Sequence, residues 1–146
     1  MKLFDVNILI YSHRSDQQHH AFYRNRLEEV LAGQETCGIT TAVATGFLRI
    51  VTQPNFPNGP TPLPQALAVI ETLTTPGSCQ WVHPGSRHWN LVAELCRETS
   101  TTGKGVSDAS HAAIAIEHGC TWVSRDSDFG RFTAYGLRWE RWESEG

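Results

Sequence analysis

Short apolar runs alternate with longer stretches of helical spacing along this chain. The run Met1-Lys2-Leu3-Phe4 meets Asp5 and then changes period through Asn7, Ile8, Leu9, Ile10 and Tyr11. This predicts a strand and then a short helix over 7–14. Ser15-Asp16-Gln17-Gln18 offers caps for a second helix. Within 19–32, Tyr23, Leu27, Val30 and Leu31 recur at helical spacing, and Gly33 is a stop. Thr36 to Thr40 reads as a second strand. Thr40 or Thr41 then caps a third helix carrying Val43, Phe47, Ile50 and Val51.

The segment 53–64 concentrates proline around Asn58-Gly59 and reads as a loop. Leu63, Ala66, Leu67, Ile70 and Leu73 mark a fourth helix, ended by Pro76-Gly77. Gln80 to His83 is a third strand, and Trp89, Val92, Ala93 and Cys96 form the packing face of a fifth helix. After a polar loop over 99–105, Ser107 is the expected cap of a sixth helix. Its first turn holds Asp108, and its packing face is Ala109, Ala112, Ala113 and Ile116. Gly119 closes it. Cys120 to Ser124 is a fourth strand, Arg125 to Phe129 a turn, and Gly136 to Trp139 a last edge strand. No internal repeat is visible. Strands separated by helices predict an α/β fold: one domain over 1–146, with a mainly parallel sheet of four to five strands between helical layers.

Composition changes this picture little. No apolar run approaches the roughly 20 residues of a membrane helix. Asp5, Asn7, His13 and Arg14 interrupt any signal-peptide pattern, so a cytoplasmic protein is expected, with no membrane contact. The cysteines Cys37, Cys79, Cys96 and Cys120 are irregularly spaced with no Cys-x-x-Cys, and read as buried free thiols. The formal net charge of −3 gives no global argument for a polyanionic partner. A local basic surface would suffice, with Arg24, Arg26, Arg49, Arg87, Arg97, Lys104, Arg125 and Arg131 as candidates.

The acids carry the functional signal. Asp5 ends the first strand, Asp126 and Asp128 follow the fourth, and Asp108 opens the helix that leads into the fourth. Each has an innocent reading: a helix cap, a partner for a helix dipole, an Asx turn. Yet strand ends in a parallel sheet share one edge, where sites gather. Clustered carboxylates raise each other's pKa and call for a cation. Oxygen ligands suit Mg²⁺ or Mn²⁺, which fits phosphodiester hydrolysis.

The segments Asp5-Val6-Asn7-Ile8-Leu9-Ile10-Tyr11, Phe47-Leu48-Arg49-Ile50-Val51-Thr52, Asp108 to Ala115 and Ser124-Arg125-Asp126-Ser127-Asp128-Phe129 resemble, in order, the motifs of PIN-domain nucleases. The VapC-type toxins of bacterial toxin–antitoxin pairs are the most similar branch. The resemblance spans nearly the whole chain. It implies a PIN-like three-layer sandwich and a Mg²⁺- or Mn²⁺-dependent ribonuclease acting on cellular RNA, often structured RNA such as tRNA. It further implies a cognate VapB-type antitoxin that covers the site, and a homodimer. Asp5, Asp108 and Asp126 match the metal-site positions, Asp128 a further acid, and Ser124 and Asn7 supporting positions. Arg49 would pair with an acid of the site or with a phosphate.

One position departs from the family pattern. Many members carry Glu just before the Phe-Leu-Arg segment, where this chain has Gly46. That glycine is compatible with a branch that works with the remaining acids, with close approach of RNA or an antitoxin side chain, or with an inactivating substitution. His111, three residues after Asp108, reads as a core or rim histidine rather than a base. Trp139 reads as packing, and Trp142 as packing or partner surface. Two rivals remain. One is a catalytically weakened or inactive PIN domain that only binds RNA or antitoxin. The other is a phosphatase of the haloacid dehalogenase type, for which Asp5-Val6-Asn7-Ile8-Leu9 lacks the second acid and the hydroxyl of Asp-x-Asp-x-Thr.

Overall fold

The computed structural model describes residues 1–143. Residues 144–146 of the expected 1–146 unit lie outside the described residues. The chain runs β1 (Lys2–Phe4), α1 (Val6–His13), α2 (His20–Ala32), β2 (Cys37–Ile39), α3 (Thr41–Val51), α4 (Leu63–Leu73) and β3 (Gln80–Trp81). It continues with α5 (His88–Thr99), α6 (Gly105–His118), β4 (Thr121–Ser124), a 3-10 helix (Ser127–Tyr135) and β5 (Arg138–Arg141). Among the described residues the five strands form one sheet, ordered β3-β2-β1-β4-β5, and every neighbouring pair is parallel. No helix among them is long and apolar enough to cross a membrane.

Strand order positions the site. From β1 to β2 to β3 the chain steps one way across the sheet, through α1–α2 and then α3–α4. From β3 it returns through α5 and α6 to β4, on the other side of β1, and steps on to β5. Right-handed crossovers place the two groups of helices on opposite faces. Their paths diverge between β1 and β4, which makes the carboxyl ends of these two strands the switch point where open α/β sheets build sites. The register there is Lys2 with Thr121, Leu3 with Trp122 and Phe4 with Val123, and the Asp5 N–H donates to the Val123 carbonyl at 2.9 Å.

The core fills both faces of the central strands. Leu3, Phe4, Trp122 and Val123 are fully buried between Ile8, Leu9, Phe47 and Tyr23 from the first helical group and Ala109, Ala112, Ala113 and Phe132 from the second. The alanine face of α6 allows close approach to β4. Cys37 in β2, Cys79 just before β3 and Cys120 just before β4 are buried, Cys96 is partly buried, and all four are free thiols.

Several boundaries differ from the sequence expectation. Ser107 does not cap α6. The turn at Gly103 (φ +62°) starts the winding earlier, with the Val106 N–H donating to Gly103 and the Ser107 N–H to Lys104. The helix therefore begins at Gly105, and Asp108 remains in its first turn. The segment after Asp126 is more than a turn. Phe129 and Phe132, three residues apart, are both buried and hold a 3-10 helix against α6 and β5. The last strand begins at Arg138 because Gly136 (φ +108°) ends that helix. Trp89 is 72% exposed, so the packing face of α5 is Val92 and Leu95.

Trp142 belongs to the core at 1% exposure. Its ring lies 5.7 Å from that of Phe4 and 5.0 Å from the Arg26 guanidinium, and its carbonyl accepts from the Tyr23 hydroxyl at 2.6 Å. Trp139 is partly buried, and its indole N–H donates to the Ser124 carbonyl at 3.3 Å. Trp142→Ala is predicted to cost about 3–5 kcal/mol, the range for emptying a buried aromatic site. Urea unfolding of the purified protein measures it, and a loss below about 1 kcal/mol would remove Trp142 from the core.

Candidate active site

Asp5 is the first residue after β1. Its backbone is extended, and its Oδ1 accepts from the Val6 N–H at 2.7 Å, so it caps α1. Its Oδ2 accepts from the Ser124 hydroxyl at 2.7 Å. The cap and the site-facing carboxylate are thus one side chain.

Ser124, the last residue of β4, is fully buried. Its Oγ donates to Asp5 and accepts from the Asp126 N–H at 3.0 Å and from Asn7 Nδ2 at 3.3 Å. One hydroxyl offers one donor and two acceptor positions, and all are used. Asn7 completes the brace, its Oδ1 accepting from the Arg125 N–H at 3.3 Å. Asp126 Oδ1 in turn accepts from the Asp128 N–H at 2.9 Å, the Asx turn expected from the sequence, which opens the 3-10 helix.

α6 runs toward the amino end of β4, so its own N-terminus lies at the carboxyl edge of the sheet. Asp108 in its first turn meets the others there. One carboxylate oxygen from each of Asp108, Asp126 and Asp128 lies within 4.8 Å of the other two. Asp5 stands beside this group, joined to Asp126 through Ser124.

The electrostatics agree with the crowding. Burial pushes the Asp5 carboxyl above its ordinary range and the Asp126 charge pushes it the same way, against the Ser124 and Val6 hydrogen bonds. Burial also raises Asp108, as do Asp126 and Asp5, opposed by the nearby Arg131 guanidinium. All-carboxylate donors at this spacing can hold a hard divalent cation, Mg²⁺ or Mn²⁺, which removes the mutual repulsion.

The remaining sequence candidates separate. Arg49 is exposed on α3, and among the described residues it makes no ion pair or hydrogen bond with the acids. Gly46 faces the amino end of α1: a Cβ there would lie 3.1 Å from Val6 Cγ2, next to Asp5. The position is therefore adjacent to Asp5, and a side chain there would need the Val6 methyl to shift by a few tenths of an ångström. His111 stacks on Trp122 at 5.0 Å, its Nδ1 is buried without a partner among the described residues, and burial lowers its pKa. That half-buried stacked position is the core or rim place expected of it. Of the candidate basic residues, Arg24 pairs with Glu28 and Arg26 with Glu140, away from the acids. Arg131 reaches Asp108 Oδ2 at 3.3 Å, and Arg125 lies over the Tyr11 ring at 5.0 Å. Sequence reading gave Arg131 no role at the site. Its place depends on the 3-10 helix, whose one visible signal is the Phe129/Phe132 spacing.

Asp5 is buried, Asp108 and Asp126 are half-buried and Asp128 is exposed, so the cluster opens to solvent on the Asp128 side. An apolar groove of about 440 Å³ runs along the second half of α1 between α2 and α4, lined by Leu9, Leu27, Leu31, Val69 and Leu73 with Arg24 and Glu28 at its rim. Open acids suit a polymer substrate better than an enclosed small molecule.

The parallel sheet thus gathers four acids at its switch point, Asp108, Asp126 and Asp128 in one cluster and Asp5 beside it. The PIN domain family matches residues 2–134, and the chain belongs to it. Its VapC-type character follows from relatives such as ribonuclease VapC43 of Mycobacterium tuberculosis, 36% identical over 139 residues, covering 95% of this chain and 93% of that one. Among solved structures, VapBC2 of Rickettsia felis bound to a DNA fragment from the promoter superposes with a TM-score of 0.72 at 18% identity, covering 97% and 98% of the two chains. VapC20 of M. tuberculosis, a sarcin–ricin loop cleaving toxin, gives 0.65 at 12% identity over 94% and 96%.

The raised Asp108 pKa has a sign that can be tested. A folded value above the ordinary 3.8 means that the protonated acid stabilises the fold, and this contribution is lost as pH rises through the folded pKa. In EDTA, Asp108→Asn is therefore predicted to gain in Tm relative to the parent as pH rises from the acid range to neutrality. Thermal melts across that range check it, and a gap that shrinks with rising pH contradicts it.

Proposed function

We propose that this VapC-type chain is a Mg²⁺- or Mn²⁺-dependent endoribonuclease toxin that hydrolyses phosphodiester bonds of structured RNA. The observation that carries the reading is the convergence of Asp108, Asp126 and Asp128 within 4.8 Å, with Asp5 locked beside them by Ser124. Asp5, Asp108 and Asp126 would hold the cation. When bound, it supplies Lewis-acid polarisation of the phosphodiester and makes water a stronger nucleophile at neutral pH.

The chain's own residues do the rest. Ser124 and Asn7 fix the carboxylates, so that they need not reorganise when substrate arrives. Asp128 is exposed at the open side, where its carboxylate is free to accept a proton from attacking water. The positive end of the α6 dipole favours negative charge at Asp108 and at a phosphate nearby.

Structured RNA, tRNA included, is the substrate class of this proposal; VapC20, which shares the fold, is a sarcin–ricin loop cleaving toxin. The expected setting is the cytoplasm, as one domain over 1–146 and as a homodimer. A cognate VapB-type antitoxin would hold the activity in check. The apolar groove between α1, α2 and α4 has the chemistry to take the apolar face of such a partner's helix.

Gly46 favours a second reading. It provides no carboxylate beside Asp5, so the site works with fewer acids or is attenuated to a binding module. Labelled tRNA with purified, antitoxin-free protein separates the two. Cutting in Mg²⁺ or Mn²⁺, abolished by EDTA and by Asp108→Asn, supports the nuclease. Silence in the parent that Gly46→Glu relieves supports attenuation. Cutting that persists in EDTA contradicts the metal assignment. In an active parent, Ser124→Ala is predicted to lower metal affinity or rate about 10–100-fold, the usual effect of removing a group that orients ligands.

A further inference from the structure

Arg131 is the one arginine whose side chain is bonded to an acid of the cluster among the described residues. The 3-10 helix sets it there, with Phe129 and Phe132 buried on one side and Arg131 pointing out. Its guanidinium lies 4.7 Å over the Phe132 ring and gives a single N–H to Asp108 Oδ2 at 3.3 Å. Gly105 opens the niche: a Cβ there would stand 3.0 Å from Arg131 Nη2 and 2.9 Å from Thr101 Cγ2. The side chain is 36% exposed, and no other hydrogen bond of its guanidinium occurs among the described residues. An exposed, one-bond ion pair adds little to stability. What it provides is a cation with free donors at the rim of an acidic site, where a polyanion would otherwise be repelled. The planar fork fits a phosphate through two parallel N–H bonds.

We propose that Arg131 binds a backbone phosphate of the RNA beside the bond being cut, giving up Asp108 for that phosphate when a cation takes over the acids. This rests on the nuclease reading and adds to it the residue that sets the strand across the site. The ring beneath it and the glycine beside it hold the guanidinium ready, while the ion pair with Asp108 keeps it from leaving before substrate arrives.

The test uses the full chain, antitoxin-free, with a fluorescein-labelled RNA stem-loop. Binding is followed by anisotropy in Ca²⁺, a hard cation for oxygen ligands, over a series of salt concentrations, and cleavage in Mn²⁺. Arg131→Ala is predicted to raise KM about tenfold, the scale of one lost hydrogen bond to a charged group, with kcat changed by less than about twofold. It should also reduce the salt slope of binding by about 0.7–0.9, the share of one phosphate. Arg131→Lys should restore the slope and only part of KM. Gly105→Ala, which keeps the charge and crowds the niche, should raise KM as well, and it carries the test if Arg131→Ala fails to fold.

Unchanged KM and salt slope in a folded Arg131→Ala protein overturn the proposal while leaving the nuclease reading intact. A fall in kcat alone overturns it too, because that marks a structural role within the acid cluster. A parent that neither binds nor cuts the RNA overturns both readings.

Discussion

The hydroxyl of Ser124 joins two strand ends that would otherwise repel each other. Asp5 leaves β1 and Asp126 leaves β4, and both carry negative charge into a partly dry edge of the sheet. A neutral group that donates to one carboxylate and accepts the backbone N–H of the other acid holds them together without adding charge. Its third bond, from Asn7, ties the same point to α1. The brace depends on the parallel register of β1 with β4, which sets these residues side by side. Everything beyond it, from the Asx turn to the 3-10 helix and Arg131, grows from Asp126.

The site is electrostatically uncomfortable by itself. Asp5 and Asp108 are both pushed toward protonation, by burial first and by neighbouring acids next. A fold under no functional demand would relieve this by substitution or by pairing. Here the pairing is partial: one guanidinium reaches one oxygen of Asp108, and the other acids receive only N–H and O–H donors. The residual strain is what a divalent cation would remove. Binding free energy and relief of repulsion then act in the same direction.

Much of the framework was legible in the chain. Leu3 and Phe4 followed by an acid, and Trp122-Val123-Ser124 followed by two more, place three carboxylates at one sheet edge once the strands are parallel. Asp5 caps α1 with one oxygen, as its innocent reading expected, and gives the other to Ser124 beside the remaining acids. Other features were not legible because they depend on contacts between distant segments. Arg131 looked like one scattered charge among several until the 3-10 helix turned it toward Asp108. The Val6 methyl against Gly46 joins residues on two helices, and no spacing rule predicts it. Arg49, a motif position, is exposed and makes no ion pair or hydrogen bond with the acids among the described residues, which leaves a phosphate as its expected partner. Trp89 misled because helical spacing says which residues share a face and not which face is covered.

The account depends on the acids acting as one cation site. Mn²⁺ binding to the antitoxin-free protein, followed by electron paramagnetic resonance and compared with an Asp126→Asn variant, tests that most directly. Saturable binding in the parent that falls at least about tenfold in the variant is the predicted result. Equal uptake by parent and variant, or none by the parent up to millimolar Mn²⁺, would contradict it.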